Sequence, residues 1–211
     1  MNTIITIGRQ FGSGGHEIAK TLSQTLDIPL YDKELITEAA KKSGLHENLF
    51  KNAEERDSFS FLYSVATGAY SVASGMGGSG LIDVHDSVFH AQADAISEFA
   101  KRGPCVFVGR AADYVLGDWP NCLRIFIHGD LHVRTERISR LYGLGPKEAG
   151  ALIQKTDKKR ANFYQYYTGQ KWSNLQNYDL CLNSSKLGVA GCADTILTYL
   201  KQMEATACGM D

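Results

Sequence analysis

The chain has 211 residues, of which 44% are apolar, and 22 basic residues face 23 acidic ones. This composition excludes a disordered chain, and the formal net charge of −1 argues against bulk binding to nucleic acid or to an anionic membrane. At roughly 100–200 residues per domain, the length predicts one domain over residues 1–211, with a substantial core.

The cysteines and the N-terminus predict a reducing compartment. The five cysteines include no C-x-x-C pair, and three of them lie in short apolar runs typical of buried strands: Cys105, Cys122 and Cys181. A free cysteine in such a run behaves as a small hydrophobe. The N-terminus lacks a signal-peptide pattern, and no stretch approaches the roughly 18 apolar residues that span a bilayer. We expect a cytoplasmic protein with no membrane partner, and the oligomeric state stays open.

Strand and helix patterns alternate along the chain. A β-branched run at 3–7 predicts the first strand, and apolar positions at spacing four predict a helix from about residue 15. Further strands are predicted at 28–31, 104–108, 122–128 and 178–182. Further helices are predicted at 33–44, 46–58, about 85–102, 130–142, 146–168 and 187–204. This order predicts an α/β fold with a doubly wound parallel sheet, and the glycine-rich segment 59–84 is predicted to be a variable insertion or loop.

A loop between the first strand and the first helix carries four glycines in eight residues: Gly8, Gly12, Gly14 and Gly15. Glycine allows backbone conformations in which successive N–H groups point into one cavity, and a helix N-terminus adds partial positive charge. Both features favour a phosphate group. We therefore expect a nucleotide phosphate to bind at Gly12, Ser13, Gly14, Gly15 and His16.

The loop departs from the Walker A pattern G-x-x-x-x-G-K-[ST]. If the loop carries one extra residue, Gly12-Ser13-Gly14 overlays the G-x-G before the lysine, and Gly15 stands in the place of the lysine. A cation for the β- and γ-phosphates must then come from another residue. The local candidates are Arg9, His16 and Lys20.

Five motifs in order resemble those of the cytidylate kinase-like family, an offshoot of the P-loop nucleoside monophosphate kinases. They are GRQFGSGGHEIA, LYDKELI, VGRAADYVL, IQKTDKKRANFYQYYTGQKW and NYDLCLNSS. The resemblance covers nearly the whole chain outside 59–84. It implies a P-loop NTPase-type three-layer sandwich with a helical lid at about 144–172. It also implies ATP as a cosubstrate, with Mg²⁺ arriving on the nucleotide and no metal site made by the protein.

The resemblance makes a basic cluster between residues 131 and 160 the expected lid region. Arg134 and Arg137 lie one helical turn apart, and Asp157 and Arg160 have the same spacing. Arginine offers bidentate geometry to phosphate, so we expect the three arginines to contact phosphates. We expect Asp157 to close over the transferring group with them. A solvated basic surface is the alternative interpretation.

The same resemblance assigns two residues to the acceptor. Asp32, after the second strand, matches an aspartate that holds the acceptor nucleotide, although it also suits a helix N-cap. Arg110 matches an arginine that contacts the acceptor phosphate, with Ala111 where the family has aspartate.

The leading functional hypothesis is ATP-dependent phosphoryl transfer to a small acceptor, most plausibly a nucleoside monophosphate such as CMP. Two alternatives stay open. One is a nucleotide-binding sensor or regulatory protein that has lost turnover, and the other is a P-loop kinase for a small molecule that is not a nucleotide.

Overall fold

A five-stranded parallel sheet forms the centre of the molecule. The computed structural model describes residues 3–33, 35 and 79–208. The strands are Ile4–Arg9 (β1), Leu30–Tyr31 (β2), Val106–Val108 (β3), Cys122–His128 (β4) and Leu180–Asn183 (β5). Their order is β2-β3-β1-β4-β5, and every neighbouring pair is parallel. All five predicted strands are confirmed.

Helices cover both faces of the sheet, as a doubly wound fold requires. They are Gly15–Leu26 (α1), Ser79–Lys101 (α2), Ala112–Val115 (α3), Leu131–Tyr142 (α4), Pro146–Thr168 (α5) and Ser184–Cys208 (α6). The last is bent at Gly188, whose φ of 67° is not helical. Across the described part of the chain, no helix is both long enough and apolar enough to span a membrane.

Most predicted helices are confirmed, and two differences stand out. α2 begins at Ser79 rather than at about 85, so the end of the predicted insertion is helical. The short helix α3 was not predicted, since four residues are too few to show a period. The prediction for 59–78, that for 46–58 and nearly all of that for 33–44 lie outside the described residues.

The core explains why the strands are continuous apolar runs. Alternate residues of β1 face opposite sides: Ile5 and Ile7 pack in the cluster that includes α1 and α6, whereas Ile4 packs with α2 and α3. Because both faces are covered, apolar residues predominate on each, which is typical of parallel sheets. The sheet is thus a rigid base from which loops project.

The cysteines are part of this core. Cys105, Cys122, Cys181 and Cys192 are free, and burial raises the pKa of Cys105 and Cys122 to about 12. These two thiols stay protonated at neutral pH and pack as small apolar groups, as predicted.

We expect Ile7→Ala to lower the free energy of unfolding by about 2–5 kcal/mol, because Ile7 is 1% exposed and its loss leaves a cavity. Leu141→Ala is the control, since Leu141 is 59% exposed and its truncation should cost less than about 0.5 kcal/mol. Urea unfolding measures both variants, and similar losses would contradict the described core.

Candidate active site

The glycine loop lies where ligands bind in open α/β sheets. β1 has β3 on one side and β4 on the other, and the chain leaves its carboxyl end through residues 10–14 to enter α1. Strand order reverses at this point, which opens a crevice at the carboxyl ends of the strands.

Two glycines give the backbone of the loop its left-handed turns. Gly12 and Gly14 have φ of 80° and 79°, values that side chains disfavour. A Cβ on Gly12 would also lie 3.0 Å from Cγ1 of Ile138. Ser13 is buried, and its hydroxyl donates to the carbonyl of Gln10 over 2.9 Å. Gly14 caps α1, so the helix N-terminus opens directly from the loop.

One ion pair holds the loop against α4 and α5. Asp157 accepts from the backbone N–H of Phe11 at 2.7 Å and from Nη1 of Arg134 at 2.6 Å. Arg134 also donates to the carbonyls of Phe11, at 3.2 Å, and Gly129, at 2.9 Å. Both side chains are largely buried, so the structure places them as supports of the loop. Their action on the transferring group stays a prediction.

Arg137 and Arg160 lie at opposite ends of the loop. Arg137 pairs with Glu17 at 2.6 Å, and its guanidinium carbon is 3.4 Å from where a Cβ on Gly14 would lie. Arg160 donates from Nη1 to the carbonyl of Arg9 at 2.8 Å. Burial lowers the pKa of Arg160, but an arginine still keeps its charge. Both guanidinium groups therefore adjoin the backbone of the glycine loop.

Two cavities flank the loop. The first, of about 350 Å³, is lined by Gly12, Ser13, Val133, Arg134, Glu136, Arg137, Arg140, Ser184, Ser185, Gly188 and Val189. The second, of about 310 Å³, begins at Gly8 and Arg9 and extends over β3 to α5. One loop thus borders two separate chambers, each large enough for a small molecule.

The second cavity is strongly cationic and partly aromatic. Among the described residues, its lining includes five cations: Arg9, Lys33, Arg110, Lys159 and Arg160. Phe163, Tyr164 and Trp172 form its apolar wall, and the Arg110 guanidinium lies 5.4 Å from the ring centroid of Phe163. Such a lining suits an anionic molecule with a flat or apolar part.

A buried carboxyl group completes this wall. Asp113 is 6% exposed and accepts a hydrogen bond from the Tyr164 hydroxyl at 2.6 Å. Burial raises the pKa of Asp113 to about 6, although the hydrogen bond from Tyr164 opposes that rise. Asp113 therefore titrates close to neutral pH, inside a cavity of cations.

The remaining predicted residues divide between the site and the surface. Arg110 lines the second cavity and has a left-handed φ of 61° at the carboxyl end of β3. Asp32 accepts from the backbone N–H of Leu35 at 3.2 Å, as a helix N-cap does, and its neighbour Lys33 lines the cavity instead. His16 and Lys20 are exposed on α1 and line neither cavity.

Sequence reasoning missed several lining residues. Lys33 lies beside Asp32 in the LYDKELI motif, and Ser184 and Ser185 end the NYDLCLNSS motif. Each motif therefore contains residues that line a cavity. The side chain that faces the cavity depends on the packing of distant helices, which a motif does not show.

The loop residues do not fit a magnesium ion held by the protein. His16 stands where Walker A supplies a hydroxyl. Magnesium prefers oxygen ligands over imidazole. No cluster of three His, Cys, Asp or Glu side chains capable of binding a metal occurs in the described ranges. A magnesium ion would rely on the phosphates of the nucleotide and on water.

Comparison with known proteins identifies the lineage. The sequence model of the cytidylate kinase-like family matches residues 4–186. The chain belongs to this family. A cytidylate kinase of Methanopyrus kandleri is 25% identical over 196 residues, covering 88% of this chain and 86% of that protein. A cytidylate kinase of Pyrococcus horikoshii is 30% identical over 94 residues, which are 44% of this chain and 48% of the relative.

Solved structures agree with this fold. A protein from Eubacterium ventriosum, described as uncharacterized, is 30% identical with a TM-score of 0.72, covering 95% of this chain and 99% of that one. A gluconokinase from Sinorhizobium meliloti has a TM-score of 0.56 at 14% identity, covering 100% and 98% of the two chains. A shikimate kinase from Bacteroides thetaiotaomicron has a TM-score of 0.54 at 13% identity, covering 95% and 99%. The fold is that of P-loop kinases, and family membership supports phosphoryl transfer to a small molecule.

We expect Arg134→Met and Asp157→Asn each to destabilise the protein by about 3–5 kcal/mol, because each leaves a buried group without its partner. The double variant should cost less than the sum of the two, by about 0.5–3 kcal/mol. Urea unfolding of the four proteins measures this coupling. Strictly additive losses would contradict a shared role in holding the loop.

We expect a pH-dependent term in stability from Asp113. Its pKa in the folded chain is about 6, above the ordinary 3.8, so folding favours the protonated form. The corresponding stability is fully present below about pH 4 and is lost as the pH rises through 6. Relative to Asp113→Asn, the wild type should lose about 2–3 kcal/mol between pH 4 and pH 7.

Thermal or urea unfolding across this pH range measures the difference. Tyr164→Phe is the matched comparison: without the hydroxyl that donates to Asp113, the pKa of Asp113 in the folded chain rises further, so the loss should extend to higher pH and become larger. If the free energies of unfolding of the wild type and of Asp113→Asn change in parallel from pH 4 to pH 7, Asp113 does not titrate in this range.

Proposed function

We propose that this protein transfers the γ-phosphoryl group of ATP to a nucleoside monophosphate, with CMP as the favoured acceptor. The observation that carries the proposal is the pair of cavities on either side of one phosphate-binding loop, the second of them lined by five cations. The two relatives named as cytidylate kinases support CMP among the possible acceptors.

In the proposed step, an acceptor phosphate oxygen forms a bond to the γ-phosphorus of ATP. The bond between that phosphorus and the oxygen bridging to the β-phosphate breaks, and ADP leaves with the electron pair. An ionised acceptor phosphate has no proton to lose, so this reaction needs positioning and positive charge rather than a base.

Each side of the site has a matching task. The amides at Gly12–Gly15 and the α1 N-terminus bind the donor phosphates, with Arg137 beside them. Arg110 and Lys33 bind the acceptor phosphate in the second cavity, against the aromatic wall. Arg134 and Asp157 keep the loop in its binding conformation, because their hydrogen bonds end on Phe11. The helical segment at 144–172 serves as the lid that excludes water.

One observation favours a second candidate, a kinase whose acceptor is a hydroxyl group of a small anionic molecule. A hydroxyl acceptor must lose a proton as the new bond forms, and Asp113 is a carboxyl group in the second cavity with a pKa of about 6. The proton would pass to Asp113 while the phosphoryl group moves to the oxygen. A regulatory protein without turnover remains the third possibility.

We expect CMP to stimulate ADP release from ATP more than UMP, AMP, GMP or small hydroxy acids, as measured by a coupled assay. Arg110→Ala should lower kcat/KM for CMP by about ten- to a hundredfold, since a charge-assisted contact to phosphate is lost. The loss should appear mainly in KM.

Arg102→Ala is the matched control, because Arg102 is exposed and stacks on Phe99. Turnover with hydroxy acids alone would support the second candidate. ATP binding without ADP release on any acceptor would contradict a kinase and support the regulatory protein.

A further inference from the structure

The residue that replaces the Walker A lysine is packed against another cation. Gly15, the first residue of α1, is buried, and a Cβ placed on it would lie 2.6 Å from Cβ and 2.9 Å from Cγ of Arg9. Real Cβ atoms do not approach other atoms this closely. The stem of Arg9 therefore fills the space in which a side chain at position 15 would begin.

The charged end of Arg9 lies against Gly109 on the side of the second cavity. Its Nη1 lies so close to Gly109 that a Cβ there would be 2.1 Å away. Arg9 also lines the second cavity beside Gly8, while the first begins at Gly12 of the same loop. The guanidinium therefore faces the cavity on the acceptor side of the loop.

The backbone of Arg9 is fixed on two sides. It is the last residue of β1, in register with Ile127 of β4, and its carbonyl accepts from Arg160 at 2.8 Å. Together with the packing of its stem at Gly15 and of its Nη1 at Gly109, this support limits the conformations of the side chain, so less conformational entropy is lost when it binds an anion.

We propose that Arg9 supplies the positive charge of the missing lysine, holding the γ-phosphate of the donor from the side of the second cavity and stabilising charge on the transferring group. In this arrangement the two positions depend on each other. Position 15 must be glycine because the stem of Arg9 fills the space beside it. Arg9 must supply the positive charge because a glycine at position 15 has none. Binding by Arg9 rests on the loop geometry, and its part in turnover rests on the proposed function. Of the three local candidates, His16 and Lys20 face solvent.

Two measurements test this assignment. In the first, calorimetry with ATP alone should show that Arg9→Ala binds about ten- to a hundredfold more weakly than the wild type, as expected for a lost charge-assisted contact. Lys20→Ala, an exposed cation on α1, is the control and should bind as the wild type does. If ADP is released with CMP, Arg9→Ala should lower kcat as well.

The second measurement exchanges the two positions. Gly15→Lys alone should lower the midpoint of thermal unfolding, because its Cβ meets the stem of Arg9. The double variant R9G/G15K removes that clash, because the substitution Arg9→Gly removes the Cβ and Cγ atoms that the new side chain would meet. Its midpoint should therefore lie above that of Gly15→Lys. It should also bind ATP more tightly than Arg9→Gly alone.

The outcomes separate this inference from the proposed function. If Arg9→Ala binds ATP as tightly as the wild type does, the assignment of Arg9 is overturned, even if the protein is an active kinase. Weaker binding in Arg9→Ala, with no ADP release from the wild type on any acceptor, would support Arg9 as the phosphate cation and contradict the kinase. Absence of ATP binding by the wild type would overturn both.

Discussion

Asp157 joins the glycine loop to the two helices that flank it. One carboxylate oxygen accepts from the backbone of Phe11, and the other accepts from Arg134, which in turn reaches the carbonyls of Phe11 and Gly129. The loop between β1 and α1 is thereby tied to α4 and α5. Because the pair is largely out of water, its hydrogen bonds are strong and its disruption is costly. The connection lies between the two cavities, since α4 lines the first and α5 lines the second.

The basic residues differ in their surroundings, although the net charge of the chain is nearly neutral. Arg134 and Arg137 have acidic partners, Asp157 and Glu17. Arg160 lies against a backbone carbonyl. Arg110 and Lys33 line the second cavity, where the described lining has one carboxyl group, Asp113. A protein that carries almost no net charge can therefore still present a cavity suited to phosphate, because local geometry rather than the total sets the potential inside a cleft.

Much of the architecture could be predicted from the sequence because the strands are buried on both faces. Residues such as Ile5 and Val106 belong to short β-branched or apolar runs, and the helices between them carry apolar positions at spacing four. α3 escaped prediction, and so did the left-handed backbone of Arg110 and Ala111 just before it. Neither residue is a glycine, so nothing in the local sequence indicates that turn.

The sequence by itself determined the alternation of strands and helices, the glycine loop and the departure from the Walker A pattern, because these depend on neighbouring residues. Only the tertiary structure decided what each charged side chain does. Helical spacing placed Asp157 and Arg160 on one face of α5, yet Asp157 binds Phe11 and Arg134, while Arg160 binds the carbonyl of Arg9. Their partners come from residues up to 151 positions away in the chain. Burial and pairing at such separations follow from how the layers pack, and a local pattern contains no information on that packing.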